Sequence, residues 1–147
     1  MAFSFHHAAI TTHRYHELLT FYTELPGAAL ERETSWQQGQ VELDARTGLK
    51  NSEGRVAVLS LGAAKIEIFE FKHPSPPDRP ATTLAHRGLT HIALSCEDCV
   101  AEYTRLKAAG MKFNAEPWLT PAGGIFTFGN DPDGNIIEIL QPAPSAR

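Results

Sequence analysis

The stretch KIEIFEF, residues 65–71, decides how the fold of this chain is interpreted. Its apolar residues Ile66, Ile68, Phe69 and Phe71 predict a short β-strand, yet Glu67 lies in the middle of it. An ionised carboxylate is costly to bury unless a partner charge or a metal ion stabilises it. The stretch NIIEIL, residues 135–140, places a second lone carboxylate, Glu138, inside another apolar strand. The two carboxylates therefore need a common explanation.

Length and composition narrow the class of protein. A chain of 147 residues fits one domain, or two small modules that share a core. With 42% hydrophobic and 20% charged residues it has the composition of a soluble globular protein. The net charge of −4 provides no broad basic surface, so nucleic acid is not an expected partner. No apolar run approaches the roughly 20 residues that span a bilayer, and residues 1–7 lack a signal-peptide pattern. We expect a cytoplasmic protein that does not bind membranes.

The two cysteines, Cys96 and Cys99, have the CxxC spacing that zinc sites and redox sites use. A zinc site would need a second pair of ligands nearby in the sequence, and none follows. The alternative is a pair of free thiols at the start of a helix. The sequence leaves a redox role open.

The chain contains an internal repeat. Residues 5–11, FHHAAIT, resemble residues 89–95, LTHIALS, and each segment is a short strand pattern with a His in its first half. A helical pattern follows each strand, and further strand-like segments follow each helix. The apolar stripes of the two helices are Tyr15, Leu18, Leu19 and Tyr22 in the first half and Val100, Tyr103 and Leu106 in the second. Each half closes on a strand with a central Glu, so the predicted order is β-α-β-β-β, twice.

Short signals mark the helix ends. Pro26-Gly27 ends the first helix. Ser95 together with Asp98 forms a capping signal before the second helix, and Gly110 ends it.

The spacing of the repeat locates an insertion. His7 and His91 lie 84 positions apart, whereas Glu67 and Glu138 lie 71 positions apart. The first half therefore carries 13 additional residues between its His and its Glu. The polar stretch 36–55 is the place for them, as a longer hairpin or lid.

A stiff connector separates the two halves. Four prolines lie between positions 74 and 80, which favours an extended linker over a helix or strand. The sequence thus predicts one domain over residues 1–147. Its parts are a first module at about 3–72, a Pro-rich linker at 73–87 and a second module at about 88–142.

Strand alternation assigns a face to each polar residue. His7 lies opposite Ile10, His91 opposite Ile92, and each Glu opposite its neighbouring isoleucines. The aliphatic faces suit packing against the helices, which leaves both His and both Glu on the other face. Alone, a strand His or Glu is usually half exposed or hydrogen-bonded. Two imidazoles and two carboxylates in one cleft would instead form a site for Mn, Fe, Co, Ni or Zn, with positions left for a substrate with two adjacent oxygens.

With these residues the sequence resembles the vicinal oxygen chelate superfamily, which includes glyoxalase I, bleomycin resistance proteins and extradiol dioxygenases. The resemblance covers nearly the whole chain. A tight turn that leads into the strand of Glu138 is its most specific part. The matching motifs are His7-Ala8-Ala9-Ile10, Phe21-Tyr22, Glu67 in KIEIFEF, GLTHIA at residues 88–93, and DPDGN at residues 131–135.

The resemblance implies an α+β fold of two tandem βαβββ modules that form a curved mixed sheet around a metal cleft. The glyoxalase I-type ligands fall on His7, Glu67, His91 and Glu138. The family's catalytic roles imply Glu138 as the base and Glu67 as a ligand or partner base. Members with short chains commonly pair, which implies a homodimer.

The implied activity is a metal-dependent lyase or isomerase that acts on a small substrate with adjacent oxygens through an enediolate-type intermediate. The implied cofactor is a divalent metal ion, with glutathione or another thiol as a candidate co-substrate. Alternatives within the family are an epimerase, a dioxygenase or a thiol transferase, and a metal-free protein that binds a drug or metabolite. The aromatic residues Trp36, Trp118, Phe126 and Phe128 fit either a substrate pocket or the core.

Overall fold

The structure is a computed structural model that describes residues 3–144. The chain divides into two compact units, the first extending to Arg79 and the second starting at Pro80. None of the helices in the described range has the length and apolar character needed to cross a membrane.

The first unit contains one four-stranded sheet with the order β1-β4-β3-β2. Strand β1 runs parallel to β4, and the other neighbours are antiparallel. Helix α1 connects β1 to β2, which is the crossover that a parallel pair requires. The elements are β1 (His7–Thr11), α1 (Tyr15–Glu24), β2 (Ala29–Trp36), α2 (Val41–Thr47), β3 (Glu53–Leu61) and β4 (Ala64–His73).

The second unit repeats this arrangement in a sheet with the order β5-β9-β8-β6, and β7 also pairs with β8. Its first and last strands, β5 and β9, are again parallel. The elements are β5 (His91–Ser95), α3 (Cys99–Ala108), β6 (Lys112–Phe113), β7 (Trp118–Leu119), β8 (Ile125–Asn130) and β9 (Ile136–Gln141). The predicted α+β fold of two βαβββ modules is confirmed, and each module has its own mixed sheet.

The two modules differ in two places. Helix α2 lies within the 36–55 stretch that the spacing of the repeat singles out, between β2 and β3. In the second unit the outer strand is broken into the two-residue strands β6 and β7. Between them the Thr127 hydroxyl donates to the carbonyl of Ala115 at 2.7 Å, and Pro117 has no N–H to donate to a ladder. A side-chain hydrogen bond thus replaces part of the ladder there.

Helix α1 covers one face of the first sheet, but its buried stripe contains Phe21 in place of the predicted Leu19, which is only partly buried. It ends at Glu24, just before Pro26-Gly27. Isoleucines of β4 face it, with Ile66 4% and Ile68 0% exposed. The buried helix residues are Tyr15, Leu18, Phe21 and Tyr22.

Two polar contacts fix the start of α1 on the sheet. The Tyr15 hydroxyl donates to Glu33 at 2.7 Å, and Arg55 lies 3.9 Å from the centre of the Tyr15 ring. Arg55 also donates from Nε to Glu70 at 2.7 Å. Burial, together with the Glu33 carboxylate, raises the pKa of Tyr15 above its ordinary value, so its hydroxyl remains protonated and continues to donate.

Helix α3 begins later than the capping signal predicts, and the prediction of its buried stripe is partly wrong. Ser95 lies in β5, where it pairs with Leu140, and Asp98 is the N-cap, accepting from the Ala101 N–H at 2.9 Å. The buried stripe is Cys99, Tyr103 and Leu106, whereas Val100 is 52% exposed. The strand pairing sets the helix start, and the helix start sets which residues face the sheet.

A pair of substitutions in α3 tests this stripe. We expect Leu106→Ala to lower the free energy of unfolding by about 2–5 kcal/mol, because Leu106 is buried and its truncation leaves a cavity. Val100→Ala should change it by less than about 0.5 kcal/mol, because Val100 is exposed. Urea unfolding of both variants measures the difference. Equal losses of stability would contradict the observed burial of Leu106 and exposure of Val100.

Candidate metal-binding site

The first unit brings His7 and Glu67 together on one face of its sheet. In the parallel pairing of β1 and β4, His7 pairs with Lys65 and Ala9 with Glu67. His7 and Glu67 are therefore diagonal neighbours, and their Nε2 and Oε2 atoms lie 3.6 Å apart. The Glu67 side chain is only 15% exposed. The small Ala9 leaves space beside the two groups.

The second unit repeats this pair in the same register. Ala93 pairs with Glu138 between β5 and β9, and the Nε2 atom of His91 lies 3.3 Å from Oε2 of Glu138. The Glu138 side chain is 16% exposed. Each module thus presents one imidazole and one shielded carboxylate on the sheet face opposite its helix.

The residue before each histidine contacts the other ring nitrogen. Nδ1 of His7 lies 2.8 Å from Nδ1 of His6, and Nδ1 of His91 lies 2.9 Å from the hydroxyl oxygen of Thr90. When Nδ1–H donates in these contacts, Nε2 carries the free lone pair and faces the carboxylate. This is the tautomer that a metal-ligating imidazole adopts, with its second nitrogen hydrogen-bonded to a neighbour.

The DPDGN turn that precedes β9 is built around Asp131. Its Oδ1 accepts from the backbone N–H groups of Asp133 at 3.0 Å and Asn135 at 2.8 Å. Gly134 has φ +80°, which a residue with a side chain adopts only with strain. The turn fixes where β9 begins and so the position of Glu138 along the strand.

The donor set fits a divalent transition metal in type, since nitrogen and carboxylate oxygen are the ligands of Mn, Fe, Co, Ni and Zn. Each pair, however, supplies only two such ligands, one imidazole and one carboxylate. Within residues 3–144, neither unit contains three or more His, Cys, Asp or Glu side chains grouped closely enough to hold a metal ion. Protein metal sites usually use three or four ligands, so neither pair by itself makes a complete site.

Aromatic side chains lie beside the pair of the second unit. Phe128 pairs with Glu138 across the sheet, and its ring meets the edge of the His91 ring at 5.5 Å. Phe126 and Trp118 extend this row, with ring centres 5.6 Å apart. Trp118 is 56% exposed, so this row belongs to the open face of the sheet and not to the core beneath the helix.

The first unit has a comparable group, in which only Trp36 is a pocket candidate from the sequence. Phe69 and Phe71 follow Glu67 at every second position of β4, so they share its face. Their rings are stacked 5.8 Å apart, and Trp36 packs edge-on against Phe71 at 5.5 Å. The same alternation that places Glu67 would have identified both phenylalanines.

The two cysteines are free thiols. Cys99 is buried in the α3 stripe, and its Sγ donates to the carbonyl of Ile139 at 3.4 Å. Burial raises the pKa of Cys99 to about 11, and burial also raises the pKa of Cys96. A thiol needs its thiolate form to attack, so the raised pKa of both groups disfavours a nucleophilic role at neutral pH.

The fold and the repeated pairs define a class of protein. Residues 4–139 match the family described as the Glyoxalase/Bleomycin resistance protein/Dioxygenase superfamily. The chain belongs to this superfamily, which confirms the resemblance that the motifs carry.

Particular relatives can be named within it. The chain is 33% identical over 139 residues to the uncharacterized protein YaeR of Escherichia coli (strain K12), covering 92% of this chain and 94% of that protein. The fold is similar to a glyoxalase family protein from Bacillus cereus, with a TM-score of 0.85 and 18% identity over 96% of this chain and 95% of the other. It is also similar to glyoxalase I from Zea mays, with a TM-score of 0.66 and 22% identity over 95% of this chain and 44% of that chain.

Thiol labelling tests the state of Cys99. With a pKa of about 11, roughly one Cys99 thiol in a thousand is ionised at pH 8. We therefore expect Cys96→Ser protein to react very slowly with Ellman's reagent when folded and rapidly in denaturant. The folded rate should rise as the pH increases toward 11. Fast labelling of folded Cys96→Ser protein at pH 8 would contradict the burial of Cys99.

Proposed function

We propose that this protein is a metal-dependent lyase or isomerase of the glyoxalase I type, acting on a small substrate with two adjacent oxygens. The observation that carries the proposal is the same His–Glu pair, in the same register, in both modules. The similarity of the fold to glyoxalase I from Zea mays supports the scaffold on which the proposal rests.

The proposed ligands are His7, Glu67, His91 and Glu138, which together would hold one divalent ion. The two pairs would come from one chain or from two copies in a homodimer, as the family resemblance implies. The set contains two nitrogens, two carboxylates and no thiolate, which suits Ni, Zn, Co, Mn or Fe. When bound, the ion supplies Lewis-acid polarisation of a substrate oxygen.

The environment of the carboxylates supports a metal role over a packing role. In the described part of the chain, the ion-pair partner of each Glu is a histidine. A histidine carries a positive charge only when it is protonated, so neither partner is a permanent counter-charge as Arg would be. Lys65, two positions before Glu67, instead pairs with Glu31 at 2.6 Å. A cation shared by both carboxylates would provide the missing charge.

Glu138 is the proposed base. Its carboxylate would take the proton from the substrate carbon that bears the hydroxyl group, leaving an enediolate, and would return the proton to the adjacent carbon. For a hemithioacetal, this transfer converts the substrate into a hydroxy thioester without any oxidant. Glu67 would act as a ligand or as the partner base on the opposite face of the substrate.

Three alternatives within the family are an epimerase, a metal-free binding protein and a dioxygenase. An epimerase would use the same proton transfer and return the proton to the carbon from which it came. A metal-free binding protein would use the half-exposed aromatic rings and leave the four polar residues without a chemical role. Elemental analysis of protein purified without added metal separates these, and oxygen uptake with catechols would identify a dioxygenase.

Metal titration tests the four residues as a unit. We expect Glu138→Gln to keep the fold and lower the affinity for Ni or Zn, because it retains the volume and removes the charge. His91→Ala should weaken binding further, because it deletes a nitrogen ligand. Calorimetric titration of metal into the wild type and both variants measures these affinities.

The matched control is Glu70→Gln. Glu70 is in the same strand as Glu67 but on the opposite face, where it pairs with Arg55 at 2.7 Å. This variant should lose some stability and keep the wild-type affinity for metal. Equal metal affinity in all four proteins would eliminate the shared site.

Activity measurements test the reaction. We expect metal-stripped protein to be inactive toward methylglyoxal–thiol adducts, and protein reconstituted with Ni, Co, Mn or Zn to convert at least one adduct. Comparing glutathione with other thiols identifies the co-substrate. Absence of activity with every metal and thiol, in protein that binds metal, would eliminate the glyoxalase reaction and leave the metal site.

A further inference from the structure

We propose that Trp36, positioned by Asp44 through Ser52, forms with Phe69 and Phe71 a binding surface for an aromatic substituent of the substrate. We call these three residues the aromatic cluster. The inference rests on the proposed function, because it assigns the substrate class of the same site. It makes Asp44 and Ser52 positioning residues for specificity.

The aromatic cluster lies on the sheet face that carries the candidate ligands of the first unit. Phe69 is two positions after Glu67, and Phe71 is four positions after it. Trp36 pairs with Gly54 across β2 and β3, and Gly54 pairs with Phe71. Residues paired across a sheet share a face, so all three rings lie on the side of Glu67.

The rings have a defined arrangement. The planes of Phe69 and Phe71 are inclined by only 7°, whereas Trp36 meets Phe71 at 76°. Gly54 makes this possible, because a Cβ atom there would lie 2.9 Å from the Trp36 ring and 2.5 Å from the carbonyl oxygen of Glu70. The indole therefore occupies space that any other residue at position 54 would fill.

Hydrogen bonds also fix the indole ring of Trp36 at its Nε1 atom. Nε1 of Trp36 donates to the hydroxyl oxygen of Ser52 at 3.1 Å. Ser52 is 1% exposed, and its backbone N–H and its hydroxyl both donate to Oδ1 of Asp44. These hydrogen bonds also lower the pKa of Asp44, so it accepts as a carboxylate at neutral pH.

This chain of hydrogen bonds gives the insertion a role. Helix α2 buries none of its residues, and Val41 at its start is 74% exposed. Packing therefore does not explain why the first module carries this helix. Its contribution to the open face is the Asp44 carboxylate, which orients Ser52 and, through it, Trp36.

The surface selects by shape and polarity. Stacked and edge-on rings accept a flat apolar group in the same geometries that they adopt with one another. Val56, which pairs with Phe69, extends the apolar surface along β3. We therefore infer that the substrate carries an aromatic group next to its two adjacent oxygens. A substrate with a methyl group at the same position should bind less tightly.

Two hydroxamates test the inference, because both present two adjacent oxygens and differ only in a phenyl or a methyl group. We expect Ni- or Zn-loaded wild-type protein to bind benzohydroxamate about tenfold more tightly than acetohydroxamate by calorimetry. Trp36→Leu and Ser52→Ala should reduce this ratio severalfold, with unchanged affinity for acetohydroxamate and for the metal. Val41→Ala, in the same insertion but away from the hydrogen bonds, should keep the wild-type ratio.

The outcomes separate this inference from the proposed function. Suppose that metal binds and that the ratio of the two hydroxamate affinities is the same in the wild type, Trp36→Leu and Ser52→Ala. This result would overturn the inference and leave the metal site intact.

If no metal binds, the proposed function is wrong, and the aromatic cluster is tested without metal. In Trp118→Phe protein, Trp36 is the single tryptophan, since the chain has two. Benzohydroxamate should then change its fluorescence and acetohydroxamate should not, and no difference would overturn the inference.

Discussion

The parallel pairing between the first and last strand of each module is the constraint on which each His–Glu pair depends. It places Ala9 beside Glu67 and Ala93 beside Glu138, which makes each histidine the diagonal neighbour of a carboxylate. A parallel pair needs a long crossover, and the helix that supplies it covers one face of the sheet with apolar side chains. The uncovered face is then the one that carries the polar pair. The fold of each module and the position of its His–Glu pair therefore follow from one strand pairing.

A gain in stability does not explain the two carboxylates. An aliphatic residue at position 67 or 138 would pack in a strand without the cost of a shielded charge. Both modules nevertheless keep a Glu that is about 15% exposed next to a histidine. Residues that break the local pattern of a strand without a structural gain are typical of functional sites. The family to which the chain belongs is consistent with that interpretation.

The modules share the polar pair but differ in what surrounds it. The second unit places Phe128 directly against its histidine, and its row of rings ends at the exposed Trp118. The first unit builds its aromatic cluster from its own strands and fixes Trp36 through helix α2, which has no counterpart among the described residues of the second unit. A duplicated scaffold thus combines equivalent polar pairs with surroundings that differ between its halves. Such a division would let the substrate change without altering the polar pair.

The sequence by itself determined the repeat, the strands with a central Glu, their faces and the DPDGN turn. The strands, their faces and the turn are local features, because a period of two and a tight turn are set by residues close in the chain. Only the tertiary structure decided that Ser95 belongs to a strand, that Cys99 replaces Val100 in the buried stripe, and that Asp44 orients Trp36. The physical reason is that strand ends and side-chain hydrogen bonds depend on partners distant in sequence. Ser95 remains in β5 because Leu140, 45 positions away, pairs with it.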